Sequence, residues 1–168
     1  MGGSPPCRER YRPGCFASGL DGDILAYYCQ HRNGDDSRLL GRKSAGNLRA
    51  WEDSQGVHVT VEVPNTTVGD DCLELMRSKL LKGCSAGFWI VTASYTTGPD
   101  GRYTRWIEAG KLHDVSLEPE PAYEAAVATA GAHRTTDQMR AAVTALRMEG
   151  ADPATQAAWR RAEVERLR

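Results

Sequence analysis

The chain has 168 residues, of which 40% are hydrophobic and 26% are charged, and its formal net charge is -1. This length fits one domain of ordinary size with a short tail, and the composition is that of a globular protein with a sizeable core. The near-neutral balance lacks the basic excess of nucleic-acid-binding proteins and offers no attraction to an anionic membrane, so we expect neither partner.

The sequence also predicts no membrane segment, export signal or metal site. No apolar run approaches the roughly 20 residues of a membrane-spanning helix. Residues 1–13 are rich in Gly, Pro and Arg and lack the apolar centre of a secretory signal. The five cysteines are scattered and form no CxxC pair, which indicates reduced thiols rather than a disulfide framework or a zinc site. We therefore expect no metal and no cofactor.

The first part of the chain predicts short strands. Residues 1–20 contain several prolines and are expected to be irregular. Residues 23–30 form an apolar and aromatic segment typical of a buried strand, and residues 38–52 predict one or two more strands, broken near residues 44–46. Residues 57–63 alternate valines with polar side chains, which is the period of a strand with one buried face.

A single helix follows, predicted over residues 68–82. Its apolar positions recur at helical spacing and form one stripe: Cys72, Leu75, Met76 and Leu80. Acidic residues in the first turn and lysines in the last suit the helix dipole. Gly83 is the expected C-cap.

Strand character then returns. Residues 84–95 predict a strand, residues 96–101 (TTGPDG) a turn, and residues 102–108 and 111–117 two further strands. Many short strands in a small domain favour a barrel over an open sheet. The predicted fold class is thus α+β, mainly an antiparallel β-barrel with a helix.

Past Tyr123 the chain becomes alanine-rich and predicts two helices. The first has Thr135 and Gln138 at capping-box spacing, and its apolar face carries Met139, Val143 and Leu146. The second begins at residues 152–153, an Asp-Pro pair typical of a helix start. The predicted organisation is an N-terminal segment, a β-barrel domain and a helical C-terminal tail, spanning residues 1–20, 21–128 and 129–168.

A serine and a histidine at a turn and a strand end, with a carboxylate on a strand, have the chemistry of a serine protease. A serine is a weak nucleophile until a base removes its proton and a third group orients that base. Ser85 lies among small residues that let a substrate backbone approach, and His31 follows the first predicted strand. Asp114 is a candidate third group, although it is expected to be exposed if Val115, its neighbour in sequence, faces the core.

One alternative nucleophile is also present. Cys84 has the chemistry for a cysteine–histidine protease, but strand alternation directs it away from Ser85 and toward the core. His113 directly precedes Asp114, and because adjacent strand residues point to opposite faces, only one of these two is expected to point at His31.

Five stretches, in the same order, resemble the prohead serine proteases of tailed phages, a family related to herpesvirus assemblin. They cover roughly residues 12–125 and are Pro13-Gly14-Cys15-Phe16, then Gln30-His31 followed by Leu40-Gly41-Arg42, then residues 53–56 leading into the alternating valines, then the G-x-S-x-G-F motif Gly83-Cys84-Ser85-Ala86-Gly87-Phe88, and last Leu112-His113-Asp114-Val115-Ser116-Leu117 with Pro121-Ala122-Tyr123.

The resemblance implies an antiparallel β-barrel with surrounding helices, with Ser85 as nucleophile and His31 as base. The third position of the family is usually Glu, whereas this chain has Asp114, which is one methylene shorter. The strand must then lie closer, or the contact to His31 must pass through water. His113 stays an alternative here because assemblins use a second histidine.

The implied function is a serine endopeptidase that cleaves the scaffold region of the capsid protein, and its own chain, during prohead maturation. Its location would be the immature capsid in the bacterial cytoplasm. A homodimer is implied only by analogy with assemblin. The alternative is a protease-derived scaffold or assembly module without activity, for which the aspartate at the third position leaves room.

Overall fold

The computed structural model describes residues 7–29, 31, 36–121, 126–130 and 139–147. Within these ranges nine strands and one α-helix follow in chain order: β1 (Cys7–Tyr11), β2 (Leu25–Tyr28), β3 (Leu39–Arg42), β4 (Leu48–Asp53), β5 (Gly56–Val63), α1 (Thr67–Arg77), β6 (Gly83–Thr97), β7 (Tyr103–Glu118), β8 (Val127–Ala130) and β9 (Met139–Arg147). In the same ranges, no helix has the length and apolar character needed to cross a membrane.

All of these strands belong to one sheet. Its order is β3-β2-β7-β6-β8-β9-β5-β4, and β1 pairs with the first part of β7. Most neighbours are antiparallel, which confirms the predicted, mainly antiparallel β class. The sequence did not predict that β1 and β2 both run parallel to β7. The parallel pairing of β2 matters most, because it brings the chain that follows β2 to the candidate site.

The sheet curls into a half-barrel, so that β3 at one end of the order lies against β5 near the other end. The side-chain amide of Asn47 joins them by donating to the carbonyls of Leu40 (3.2 Å) and Glu62 (3.1 Å). Gly41 is needed at this approach, since a Cβ there would lie 2.6 Å from a methyl group of Val61.

The core lies inside the curl, and the local patterns that predicted it hold. The four valines of β5 are all buried, as the alternation predicted. Helix α1 packs Cys72, Leu73 and Met76 into the same cluster. The helix starts after Thr66, whose hydroxyl accepts a hydrogen bond from the N–H of Gly69 (3.1 Å), the geometry of an N-cap.

The helix prediction is wrong at its C-terminal end. The helix ends at Arg77, and Gly83 is the first residue of β6 rather than a C-cap. The chain leaves the helix at Lys79, which adopts a left-handed backbone with φ of 61°. Leu80, expected in the apolar stripe, is consequently exposed.

Two other local predictions are also corrected. The region expected to be irregular contains β1, which is held by its parallel pairing with β7. The two strands expected over residues 102–108 and 111–117 are a single strand, β7. Gly110 does not interrupt β7; it makes room for the ring of Phe16, an atom of which lies 2.6 Å from where a Cβ would be.

The helix predicted through Met139, Val143 and Leu146 is wrong, because residues 139–147 form β9. This strand pairs antiparallel with β5 along its length and with β8 on its other side. Pairing with two neighbouring strands outweighs the helical spacing of the apolar residues. The second predicted helix, from residue 152, lies outside the described residues. The domain boundaries at residues 20 and 128 remain predictions, while β8 and β9 beyond residue 126 pair within the same sheet.

Candidate active site

Ser85 lies near the start of β6, on the face of the sheet that also carries Asp114. Across the β6–β7 ladder, Ser85 is opposite Ser116 and Gly87 is opposite Asp114. Residues two apart on a strand share a face, so Ser85 and Asp114 are diagonal neighbours. Diagonal neighbours on a sheet are about 7–8 Å apart, a gap that one imidazole ring with a contact on each nitrogen can bridge.

His31 fills this gap because of where β2 ends. Strand β2 runs parallel to β7, with Tyr27 opposite Ser116, and therefore ends beside Leu117. The N–H of Cys29 donates to the carbonyl of Leu117 (2.9 Å), and Cys29 has a φ of 49°, which few non-glycine residues adopt. This left-handed residue turns the chain out of the strand just before His31.

The imidazole of His31 contacts both other candidates. Its Nε2 atom lies 2.9 Å from the Ser85 hydroxyl oxygen, and its Nδ1 atom is in direct contact with Oδ1 of Asp114. Because a carboxylate can only accept hydrogen bonds, Nδ1 carries the proton and donates it. In the neutral ring, Nε2 is then left to accept the hydrogen bond of the Ser85 hydroxyl. The shorter aspartate side chain reaches the ring directly.

Asp114 is buried, contrary to the expectation of a surface carboxylate. Its side chain is 1% exposed, whereas that of His31 is 37% exposed. The expectation assumed that only one face of β7 is covered, but Val115 and Leu117 on the opposite face are buried as well. This end of β7 lies between β2 and β6, and both of its faces are covered, since residues 114–117 are all buried.

The surroundings of His31 raise its pKa. The hydrogen bond to Asp114 raises the pKa of His31 above its ordinary value of 6.5, and partial burial of the ring opposes this rise. The negative charges of Asp114 and Glu118 add to the rise. An imidazole held in this way can take a proton from a neighbouring hydroxyl and remain stable once charged, which is the task of a general base.

Comparison with known proteins agrees with this chemistry. The model of one protein family, described as caudovirus prohead serine protease, matches residues 2–141. The chain belongs to this family. No curated protein and no solved structure matches the chain. Membership confirms the resemblance of the five stretches and assigns the chain to the serine proteases of phage capsid maturation.

In this member of the prohead protease family, both glycines of the G-x-S-x-G motif are required by close packing. A Cβ on Gly83 would lie 2.5 Å from ring atoms of Pro121. A Cβ on Gly87 would lie 2.7 Å from Oδ2 of Asp114 and 2.6 Å from Cε1 of His113. Gly87 thus leaves the space in which the Asp114 carboxylate reaches His31.

Cys84 is in the core, as strand alternation predicted. Its side chain is fully buried, and burial raises the pKa of its thiol far above the ordinary value. The thiolate is the reactive form of cysteine, so this group stays protonated and unreactive at neutral pH. The burial of Cys84 therefore argues against it as an alternative nucleophile to Ser85.

Asp114, and not His113, contacts His31, but the expectation that His113 faces away from Asp114 is wrong. Its Nδ1 atom lies 2.8 Å from Oδ2 of Asp114, and its ring packs against Trp89 with centroids 5.1 Å apart. Sequence reasoning missed Glu118, which accepts a hydrogen bond from the Ser116 hydroxyl (2.7 Å). A signal was present, since Glu118 lies four positions after Asp114 on β7 and alternation predicts the same face for both, but alternation alone does not give the distances.

Proposed function

We propose that the chain is a serine endopeptidase in which Ser85 is the nucleophile, His31 the general base and Asp114 the group that orients His31. One observation carries the proposal: a single imidazole contacts the serine hydroxyl through one nitrogen and a buried carboxylate through the other. Membership of a serine protease family supports the same assignment.

The reaction is acyl transfer to the Ser85 hydroxyl. His31 Nε2 takes the hydroxyl proton while the oxygen attacks the carbonyl carbon of a peptide bond. The protonated ring then gives that proton to the leaving amine as the C–N bond breaks. Water, activated by the same ring, releases the acyl group from Ser85. Throughout, Asp114 holds the ring and stabilises its charged form.

The proposed substrates are the scaffold region of the phage major capsid protein and the protease chain itself, inside the immature capsid within the host cell. This part of the proposal depends on family membership, because the side chains at the site do not encode a substrate. Dimerisation remains a prediction by analogy with assemblin.

The test compares Ser85→Ala with Cys84→Ala as a matched neighbour. Coexpressed with the capsid protein, wild type and Cys84→Ala should cleave the scaffold region and their own chain, and Ser85→Ala should cleave neither. A fluorophosphonate should label the first two proteins and spare the third. Cleavage by Ser85→Ala together with inactivity of Cys84→Ala would show that the nucleophile is misassigned.

The alternative is an assembly module that kept the fold and lost activity. It predicts that a fluorophosphonate labels none of the three proteins although all of them fold. The direct contact between His31 and the shorter Asp114 side chain supports the active enzyme instead, because it removes the gap that the aspartate was expected to leave.

A further inference from the structure

His113 lies in a β-bulge of β7 that turns its side chain toward Asp114. Residues 87 and 88, which are consecutive on β6, are opposite Asp114 and Leu112, so that His113 is an extra residue at this point of the ladder. Leu112 and Val115 both belong to the core, although regular alternation would direct them to opposite faces. The bulge therefore places both residues between them on the face of the candidate active site. Bulges next to active sites commonly re-aim a side chain in this way.

The carboxylate of Asp114 lies between two imidazole rings. Its Oδ1 atom contacts Nδ1 of His31, and its Oδ2 atom lies 2.8 Å from Nδ1 of His113. At that distance Nδ1 of His113 has to carry a proton, because a carboxylate oxygen can only accept. The Asp114 side chain is 1% exposed, and buried polar atoms need partners from the protein around them. Each histidine therefore serves one of the two carboxylate oxygens.

The ring of His113 is held beside the carboxylate by its neighbours. Its Cε1 atom and Oδ2 of Asp114 share the space over Gly87, since they lie 2.6 Å and 2.7 Å from where a Cβ of that glycine would be. The ring also packs against Trp89, with centroids 5.1 Å apart and an interplanar angle of 42°. Because the His113 side chain is 40% exposed, these contacts and the bulge, rather than burial, fix its position.

We propose that His113 is a positioning residue for the reaction at Ser85: it holds Oδ2 of Asp114, so that Oδ1 stays directed at His31. The inference rests on the proposed function, since it concerns the group that orients the general base. The terminal torsion of an aspartate is soft, so a carboxylate with one partner can rotate, whereas a partner on each oxygen fixes its plane. Groups that orient a catalytic side chain are effective only when their own rotamers are locked in this way.

The experiment compares His113→Leu with His113→Asn. The two new side chains have nearly the same size, but only the amide of Asn can donate from about the position of the ring Nδ1 atom. We expect His113→Leu to lower kcat on a peptide substrate by at least about tenfold with KM unchanged, because a misplacement of about 1 Å can cost about 100-fold. His113→Asn, the matched control, should keep a kcat close to that of wild type. Urea unfolding checks that both variants are folded.

Proton NMR of the His31 ring detects the same effect without catalysis. An imidazole proton that is hydrogen-bonded to a carboxylate resonates far downfield, and the Nδ1 proton of His31 can be assigned by the loss of its signal in His31→Gln. We expect this signal to persist in His113→Asn and to move upfield or disappear in His113→Leu. A residue that contributed only to folding would leave the signal unchanged in a folded variant.

Four results would count against the inference, and only the last also concerns the proposed function. A folded His113→Leu protein with wild-type kcat and His31 signal would show that Asp114 needs no second partner. Equal losses of kcat in both variants would show that the ring itself, and not its donor, matters. A change confined to KM would mean that His113 binds substrate instead. Absence of both cleavage and fluorophosphonate labelling in wild type would overturn the proposed function, and the inference with it.

A second variant covers the case in which His113→Leu does not fold. His113→Phe keeps an aromatic ring against Trp89 but has no donor for Oδ2 of Asp114. It should show the same fall in kcat and the same change in the His31 signal as expected for His113→Leu. Wild-type values of both in a folded His113→Phe protein would overturn the inference.

Discussion

Replacing Gly87 with alanine should inactivate the enzyme without touching any member of the proposed triad. The added Cβ would lie 2.7 Å from Oδ2 and 2.9 Å from Cγ of Asp114. An ordinary van der Waals contact begins at 3.4 Å, so the carboxylate has to retreat by about 0.7 Å. Asp114 is buried and its other carboxylate oxygen contacts His31, so we expect a shift of the carboxylate to disturb that contact.

The size of the effect follows from this displacement. A misplacement of about 1 Å in an active site can reduce the rate about 100-fold, and loss of the correct ring tautomer in a triad costs up to about 10,000-fold. We therefore expect kcat to fall by about 100-fold or more in Gly87→Ala. Forcing one methyl group into a packed site should also lower the free energy of unfolding by about 1–3 kcal/mol.

The assay is kcat on a peptide substrate, corrected by fluorophosphonate titration of active protein, with urea unfolding in parallel. Gly22→Ala is the matched control, because a Cβ at Gly22 meets no atom within 4 Å and this variant should keep wild-type kcat. A folded Gly87→Ala protein with kcat within a factor of three of wild type would refute the reasoning, since it would mean that the position of the carboxylate does not matter.

Three further predictions concern pH, the neighbouring thiol and the helix. His31 must be neutral to accept a proton, and its pKa is raised, so kcat/KM should increase with pH with a midpoint above 6.5. Asp114→Asn removes the carboxylate that raises this pKa and should therefore lower the midpoint of the pH–rate profile. Cys84→Ala should cost about 1–2 kcal/mol in urea unfolding because the thiol is buried, yet leave kcat unchanged; a large loss of kcat in a stable protein would contradict the core assignment. Thr66→Ala removes the helix N-cap and should lower the free energy of unfolding by about 1 kcal/mol with unchanged kcat, as urea titration and kinetics can verify.

The parts of the fold that could be predicted from sequence are those decided by local pattern. The alternating valines of β5 predicted the bounds of this strand to within one residue, because seven residues are enough to show a period of two. Pairing partners carry no such signal. The parallel contacts of β1 and β2 with β7 join residues about 90 positions apart, and β9 is a strand only because β5 and β8 lie on either side of it.

The candidate site divides in the same way. Ser85, His31 and Asp114 could be chosen from their motifs and strand ends, and the structure brings all three together. The burial of Asp114 could not be predicted, because alternation assumes one covered face and β7 lies between two strands with both faces covered. The direct contact between the shorter Asp114 side chain and His31 depends on the register between β6 and β7. No local sequence pattern predicts that register.

The ladder between β6 and β7 also decides which residue of β6 faces His31. A slip of one residue between β6 and β7 would turn Ser85 to the other face and bring Cys84 to the face of His31. The slip would also set Ala86 or Phe88 opposite Asp114 in place of Gly87, where a Cβ has no room. At the other end of the motif, Gly83 fits against Pro121 for the same reason. The two glycines therefore hold the register that presents a serine rather than a cysteine to the base, and we infer that the G-x-S-x-G spacing acts through strand alignment as much as through access for substrate.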